Sequence, residues 1–244
     1  MKRLALALTC ALSACGSVNY DDAPAGALKG SALVLWVGSG EASALGNGKF
    51  LYVPLRDRAL SFQRAGDAGA AQIITPEAFY TDGGSIPRVV QAFPGFAAWG
   101  YGPAYIIHDW LFVARKCLNR DRRDQTNTAS AEMKKLADMT FNDSAVVLAE
   151  SIKTLAAEFD LPDQGAGSGA IISSFTAGPV SYRLWTEVGP CENRLDPAHQ
   201  AFVDDLNAQS VGLSARSLQR DLQVRPTELS NGETVFFVDF IEIE

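Results

Sequence analysis

Hydrophobic residues along this chain repeat with two different periods. Between Ala104 and Ala114 only His108 and Asp109 can ionise, and Ile106, Ile107, Trp110, Leu111, Phe112 and Val113 surround them on every side of a 3.6-residue spiral. A helix apolar all round is a buried one, and Pro103 suits its first turn. From Met133 the apolar residues recur at helical spacing through Leu136, Ala137, Phe141, Val147, Leu148, Ile152, Leu155 and Phe159. That spacing predicts a second long helix, packed antiparallel to the first across a 117–128 loop. Ahead of this pair, the short apolar run Ser31–Val37 ends at Gly38-Ser39-Gly40 and predicts a strand. Lys49–Phe62 alternates loosely, for one or two more strands, and Ile73-Ile74 begins another that leads to Phe79. Behind the pair, Ile171–Val188 predicts a helix or two, disturbed at Gly178-Pro179. Asp196-Pro197 starts a helix that carries His199 on its surface, and Asn231-Gly232 signals a hairpin into a strand over Thr234–Ile243. The expected fold is α+β: a small β-rich layer packed on a helical core with an antiparallel helix pair, plus a C-terminal helix and hairpin extension.

The N-terminus changes the picture by giving an address. Lys2 and Arg3 precede the short apolar run Leu4–Leu12, and Leu12-Ser13-Ala14-Cys15 follows. The run is too short to span a bilayer and reads as a secretory signal. The tetrapeptide resembles the lipobox of bacterial lipoproteins. That resemblance implies cleavage after residue 14 and acylation of Cys15, by chains such as palmitate, that anchors the protein in a membrane. Gly16 after the cysteine implies outer-membrane sorting, with the domain facing the periplasm. The expected organisation is a signal peptide over 1–14, a tether over 15–30, a core domain over 31–189 and an extension over 190–244.

Composition excludes one partner class. A net charge of −7, which falls further once Lys2 and Arg3 are removed, argues against nucleic acid, since phosphate backbones are met with clustered Lys and Arg. The basic cluster around Arg115 and Arg120–Arg123 reads as a charged helix end and loop. Of four cysteines, Cys10 leaves with the signal and Cys15 carries lipid. The two that remain, Cys117 and Cys191, are expected to pair in an oxidising compartment.

Candidate chemistry gathers on the first helix. Burying a lone carboxylate costs several kcal/mol, and adjacent helical residues point about 100° apart. His108 and Asp109 must therefore look towards different partners. Thr81-Asp82-Gly83-Gly84-Ser85-Ile86-Pro87 is a turn and helix start, in which Ser85 caps and only Asp82 lacks a clear local reason. Asp138 stands at the edge of the second helical stripe, where antiparallel packing would bring it to His108.

Three ordered segments, FYTDGGSIPR over 79–88, IHDWLF over 107–112 and ADMTF over 137–141, resemble the motifs of the domain of unknown function 1353 family, across residues 48–187. The resemblance implies that Asp82, His108, Asp109 and Asp138 are the family's marked positions, and it supplies no activity. A His-Asp pair on one helix, faced by an Asp on another, is similar to the layout of secreted phospholipases A2. That likeness implies a hydrolase with His108 as base, Asp138 as its orienter and Asp109, with Asp82, as calcium ligands, acting on lipid or another envelope component. A serine hydrolase built on Ser85 lacks the nucleophile-elbow pattern. The competing expectation is a non-enzymatic envelope module in which the same residues form a buried scaffold network.

Overall fold

The computed structural model describes residues 18–39, 48–81, 101–158, 176–189, 191, 195–213, 215–224 and 226–243. Cys15, Asp82 and Ser85 lie outside them. The fold is α+β, an antiparallel sheet with helices on both faces. Its axis is β1 (Ala27–Ser39), which pairs with β2 (Lys49–Val53), β3 (Ser61–Gln63) and β7 (Glu233–Ile243). β3 carries β4 (Ile73–Ile74), β2 carries β5 (Phe79–Thr81), and β6 (Thr227–Glu228) pairs with β7. The partner of β1 changes from β3 to β7 at Gly30, whose φ of 94° is a conformation that favours glycine.

Both faces of β1 are covered, which is why Ser31–Val37 reads as a continuous apolar run rather than an alternating one. Ala32 and Val34 join a core with Tyr52, Phe62, Phe79, Ile106, Trp110 and Ile152. Leu33, Leu35 and Val37 point the other way, to Leu51, Val53, Val203, Leu206 and Leu218. The first core is covered by α1 (Gly102–Asp124) and α3 (Phe141–Glu158), the second by α5 (Pro197–Ser210) and α6 (Ala215–Val224). Between them in sequence lie α2 (Ala131–Lys134) and α4 (Pro179–Thr186), the latter packed through Trp185 onto Phe112 of α1 at 5.2 Å.

Several expected boundaries move. Residues 20–26 are packed against α3 and β1 begins at Ala27, so the expected tether over 15–30 contains structure. The extension past residue 190 contributes β7, paired with β1 from Gly30 to Ser39, and belongs to the same sheet. The helix expected from Met133 to Phe159 is two helices. Thr140 and Asp143 exchange hydrogen bonds, Asp143 Oδ2 accepting from the Thr140 amide at 2.8 Å and Thr140 Oγ1 from the Asp143 amide at 3.1 Å. This reciprocal cap starts α3 afresh at Phe141. The loop between the helix pair is also shorter, because α1 runs on to Asp124 and closes with Gln125 in the left-handed region. Asp121 then gathers the following loop, accepting from Thr126 Oγ1, Thr128 Oγ1 and the amides of Thr128 and Ala129, each at 2.7 Å. The Thr128 and Thr126 hydroxyls, with the two amides, hold its carboxyl well below the ordinary carboxylate range.

The expected Cys117–Cys191 disulfide is formed, with the Cα atoms 4.6 Å apart. Among the described residues no helix is long and apolar enough to cross a membrane.

Candidate functional site

Three residues of β5 set up the polar chemistry of the domain. Alternation along the strand turns Phe79 and Thr81 towards α1 and Tyr80 towards α5. Phe79 packs on Trp110 and Tyr52, each with ring centroids 5.8 Å apart, and this fixes the height of α1 against the strand. Thr81 Oγ1 then donates to Asp109 Oδ2 at 2.6 Å. Asp109 is half-buried, and its carboxylate ties helix to strand.

His108 points elsewhere, as adjacent positions on a helix must. It is 8% exposed, its ring lies 5.0 Å from that of Phe112, and its Nε2 has no hydrogen-bond partner among the described residues. Burial pushes the imidazole down to about 4, so it is neutral at pH 7. One turn earlier, the buried Tyr105 Oη is likewise without a partner among the described residues. Burial, with Tyr101 and Asp109 nearby, raises that phenol above its usual range and keeps it protonated. One turn of α1 thus presents a neutral acceptor, a neutral donor and a carboxylate.

Asp138 is not part of that turn. It is exposed, in the bend between α2 and α3, and no hydrogen bond joins it to His108. The reason is Arg115, whose guanidinium donates to the carbonyls of Leu136 and Ala137, each at 3.2 Å, and to that of Met139. Arg115 lies seven residues beyond His108, about 10 Å along the helix. It holds the Asp138 bend against its own end of α1. There Asp138 lines a cavity of about 470 Å³ with Pro24, Arg64, Lys135, Asp143 and Glu150. Arg64 and Glu150 close one wall as a bidentate pair at 2.8 and 3.0 Å.

Calcium requires six to eight oxygen ligands. Asp82 lies outside the described residues, and among those described no three His, Cys, Asp or Glu side chains cluster to hold a metal ion. Asp109 alone, with one oxygen already accepting from Thr81, does not fit that requirement.

The sequence reading missed a second polar centre. His199, expected on a helix surface, is 3% exposed. Its Nδ1 lies 2.5 Å from Tyr80 Oη and its Nε2 2.8 Å from Glu233 Oε2. Tyr80 Oη also accepts from the Asp196 amide at 3.0 Å, and Asn231 Nδ2 donates to Glu233 at 2.6 Å. The chain Tyr80–His199–Glu233 stitches β5, α5 and β7 together, so every bond in it spans a large sequence separation and leaves no local signal. Tyr80→Phe should lower stability by about 1–2 kcal/mol, because His199 Nδ1 is left buried and unpaired. Equilibrium urea unfolding checks this, and a midpoint unchanged from wild type contradicts it.

No curated protein and no solved structure matches the chain. Residues 59–148, a span that contains β5, the Asp109–Thr81 bond, His108 and the Asp138 bend, match the model of a family described as a protein of unknown function (DUF1353).

Proposed function

We propose that this is a lipoprotein, anchored in the outer membrane through Cys15 and facing the periplasm, whose α1 turn is a hydrolytic centre with His108 as general base. One observation carries the reading. Two buried polar atoms within one turn, His108 Nε2 and Tyr105 Oη, have no partner among the described residues. Leaving a buried donor or acceptor unpaired costs about 1–3 kcal/mol each, and a purely structural network would satisfy them. A neutral imidazole takes a proton from water attacking an ester or amide carbonyl, and a protonated phenol donates to the oxyanion that forms. Asp109, fixed by Thr81, sets the rotation of the turn. Asp138, which makes no bond to His108, has no orienting role in this reading. The Cys117–Cys191 bridge supports an oxidising compartment, and the lipobox places phospholipid and other envelope components within reach.

The second reading, an envelope module with a scaffold network, is favoured by the Thr81–Asp109 bond, which cross-links helix to strand. His108→Gln separates the two. In the hydrolytic reading it lowers turnover of a phospholipid, ester or peptidoglycan substrate by about 100-fold or more. It also changes acid stability in a defined direction. Above about pH 6.5 His108 is neutral in folded and unfolded chains alike. As pH falls from there to about 4, the unfolded chain gains a proton that the folded chain refuses, and wild type loses up to about 3 kcal/mol. His108→Gln escapes that loss, so its melting temperature should fall less than that of wild type between pH 7 and pH 5. A wild type inactive on all three substrates, with Asp109→Asn lowering the melting temperature, gives the scaffold reading instead.

A further inference from the structure

The segment over residues 20–26 is pinned. Lys153, on the second half of α3, donates to the carbonyls of Asp21 at 2.6 Å and Ala23 at 2.8 Å, and its ammonium lies 5.2 Å from the centroid of the Tyr20 ring. The Gly26 amide donates to Thr154 Oγ1 at 2.8 Å, and Ala23 is buried. Residues 20–26 therefore lie fixed along α3 before the chain enters β1 at Ala27. Two residues, Gly16 and Ser17, separate Cys15 from Val18, the first described position, and three chain steps fully extended reach only about 10 Å.

We propose that the anchor orients the domain as well as tethering it: the side that carries residues 20–26 over the buried α3 lies towards the bilayer, and the α5–α6 face points away into the periplasm. The proposal rests on lipidation of Cys15, as the proposed function does. A lipidated Cys15 sits at the membrane surface, so Val18 is held within about 10 Å of it and Tyr20, beside Lys153 of α3, within about 17 Å. A domain of this size is roughly 35 Å across. α3 and α5–α6 cover opposite faces of the sheet, since Val34 packs with Ile152 while Leu33 and Leu35 pack with Val203 and Leu218. The two faces are therefore at different heights. The occupant of the surface carried by residues 20–26 is lipid headgroups, and exposed Asp21 and Asp22 favour a zwitterionic layer over an anionic one.

The test uses the full-length lipidated chain in phosphatidylcholine vesicles that contain a headgroup spin-labelled lipid. A fluorophore is attached at Ala25→Cys or at Gln223→Cys, both exposed positions, the first beside α3 and the second on α6. The Ala25 label should be quenched about threefold more than the Gln223 label, as the difference in height demands. A Gly/Ser insert of about 20 residues between Ser17 and Val18 should abolish the difference while vesicle binding persists. Equal quenching with the native spacing overturns the orientation and leaves the anchor standing, provided Cys15→Ser is released from vesicles. If Cys15→Ser stays bound, the anchor itself is wrong and the orientation falls with it.

Discussion

Reducing the Cys117–Cys191 bridge should destabilise the domain by about 4 kcal/mol, the loop entropy returned to the unfolded chain by a closure of this length. The two cysteines are 74 residues apart, and the loop they close contains α2, α3 and α4. For a chain of this size that stability loss corresponds to a fall in melting temperature of roughly 10–15 °C. The reduced protein should still fold at room temperature, because α4 has other attachments to α1. Asn119 Nδ2 donates to the carbonyls of Trp185 at 2.9 Å and Glu187 at 3.2 Å, and Lys116 lies 3.5 Å from the Glu187 carboxylate. Thermal melts with and without reductant, repeated on Cys117→Ala/Cys191→Ala, read the effect. If reduction shifts the wild-type melt by less than about 2 °C, the bridge is not constraining the unfolded chain.

The bridge is legible in the sequence for a simple reason: two cysteines are left over once Cys10 and Cys15 are assigned to the expected signal and lipid anchor. Other features were legible because their causes are local. Asn231-Gly232 sets the turn into β7, Gly232 taking a φ of 80°. Asp196 caps α5 by accepting from the Ala198 amide at 2.9 Å, with Pro197 in the first turn. The apolar run around His108 and Asp109 correctly predicted a buried helix with two divergent polar side chains. What failed was either overruled or non-local. The Thr140–Asp143 cap is a sequence signal, yet the apolar periodicity on both sides of it runs through without a break in phase. Periodicity reports which residues face the core; it does not report whether the backbone between them stays helical. That single break moves Asp138 off a helix and away from His108. The Tyr80–His199–Glu233 chain and the pairing of β7 with β1 depend on residues brought together from opposite ends of the chain, which no window of sequence contains.

Arg115 is the sharpest case, and it carries the second large prediction. By composition it belongs to a basic cluster that reads as a charged helix end and loop. In the structure it is buried at 6% exposure, its guanidinium 4.6 Å from the Trp185 ring centroid and donating to three carbonyls of the Asp138 bend. Those carbonyls lie in the bend after α2, which ends at Lys134; that of Leu136 also accepts from the Met139 amide at 3.2 Å, and those of Ala137 and Met139 have no following helical turn to satisfy them. Arg115→Ala removes all three bonds and the stacked plane together, and should cost about 3–5 kcal/mol. Arg115→Lys should recover less than half of that, because an ammonium cannot present a planar fork to three acceptors or stack on an indole. The loss should also have a location. Amides of residues 135–140 and the Trp185 fluorescence should respond first, and hydrogen exchange around His108, two turns away, should stay close to wild type. If Arg115→Lys is as stable as wild type, the carbonyls are being satisfied by water and the bend does not depend on the guanidinium. If instead the His108 turn exchanges as fast as the bend, then α1 and the α2–α3 bend open as one unit, and the position of Asp138 is coupled to the proposed centre after all.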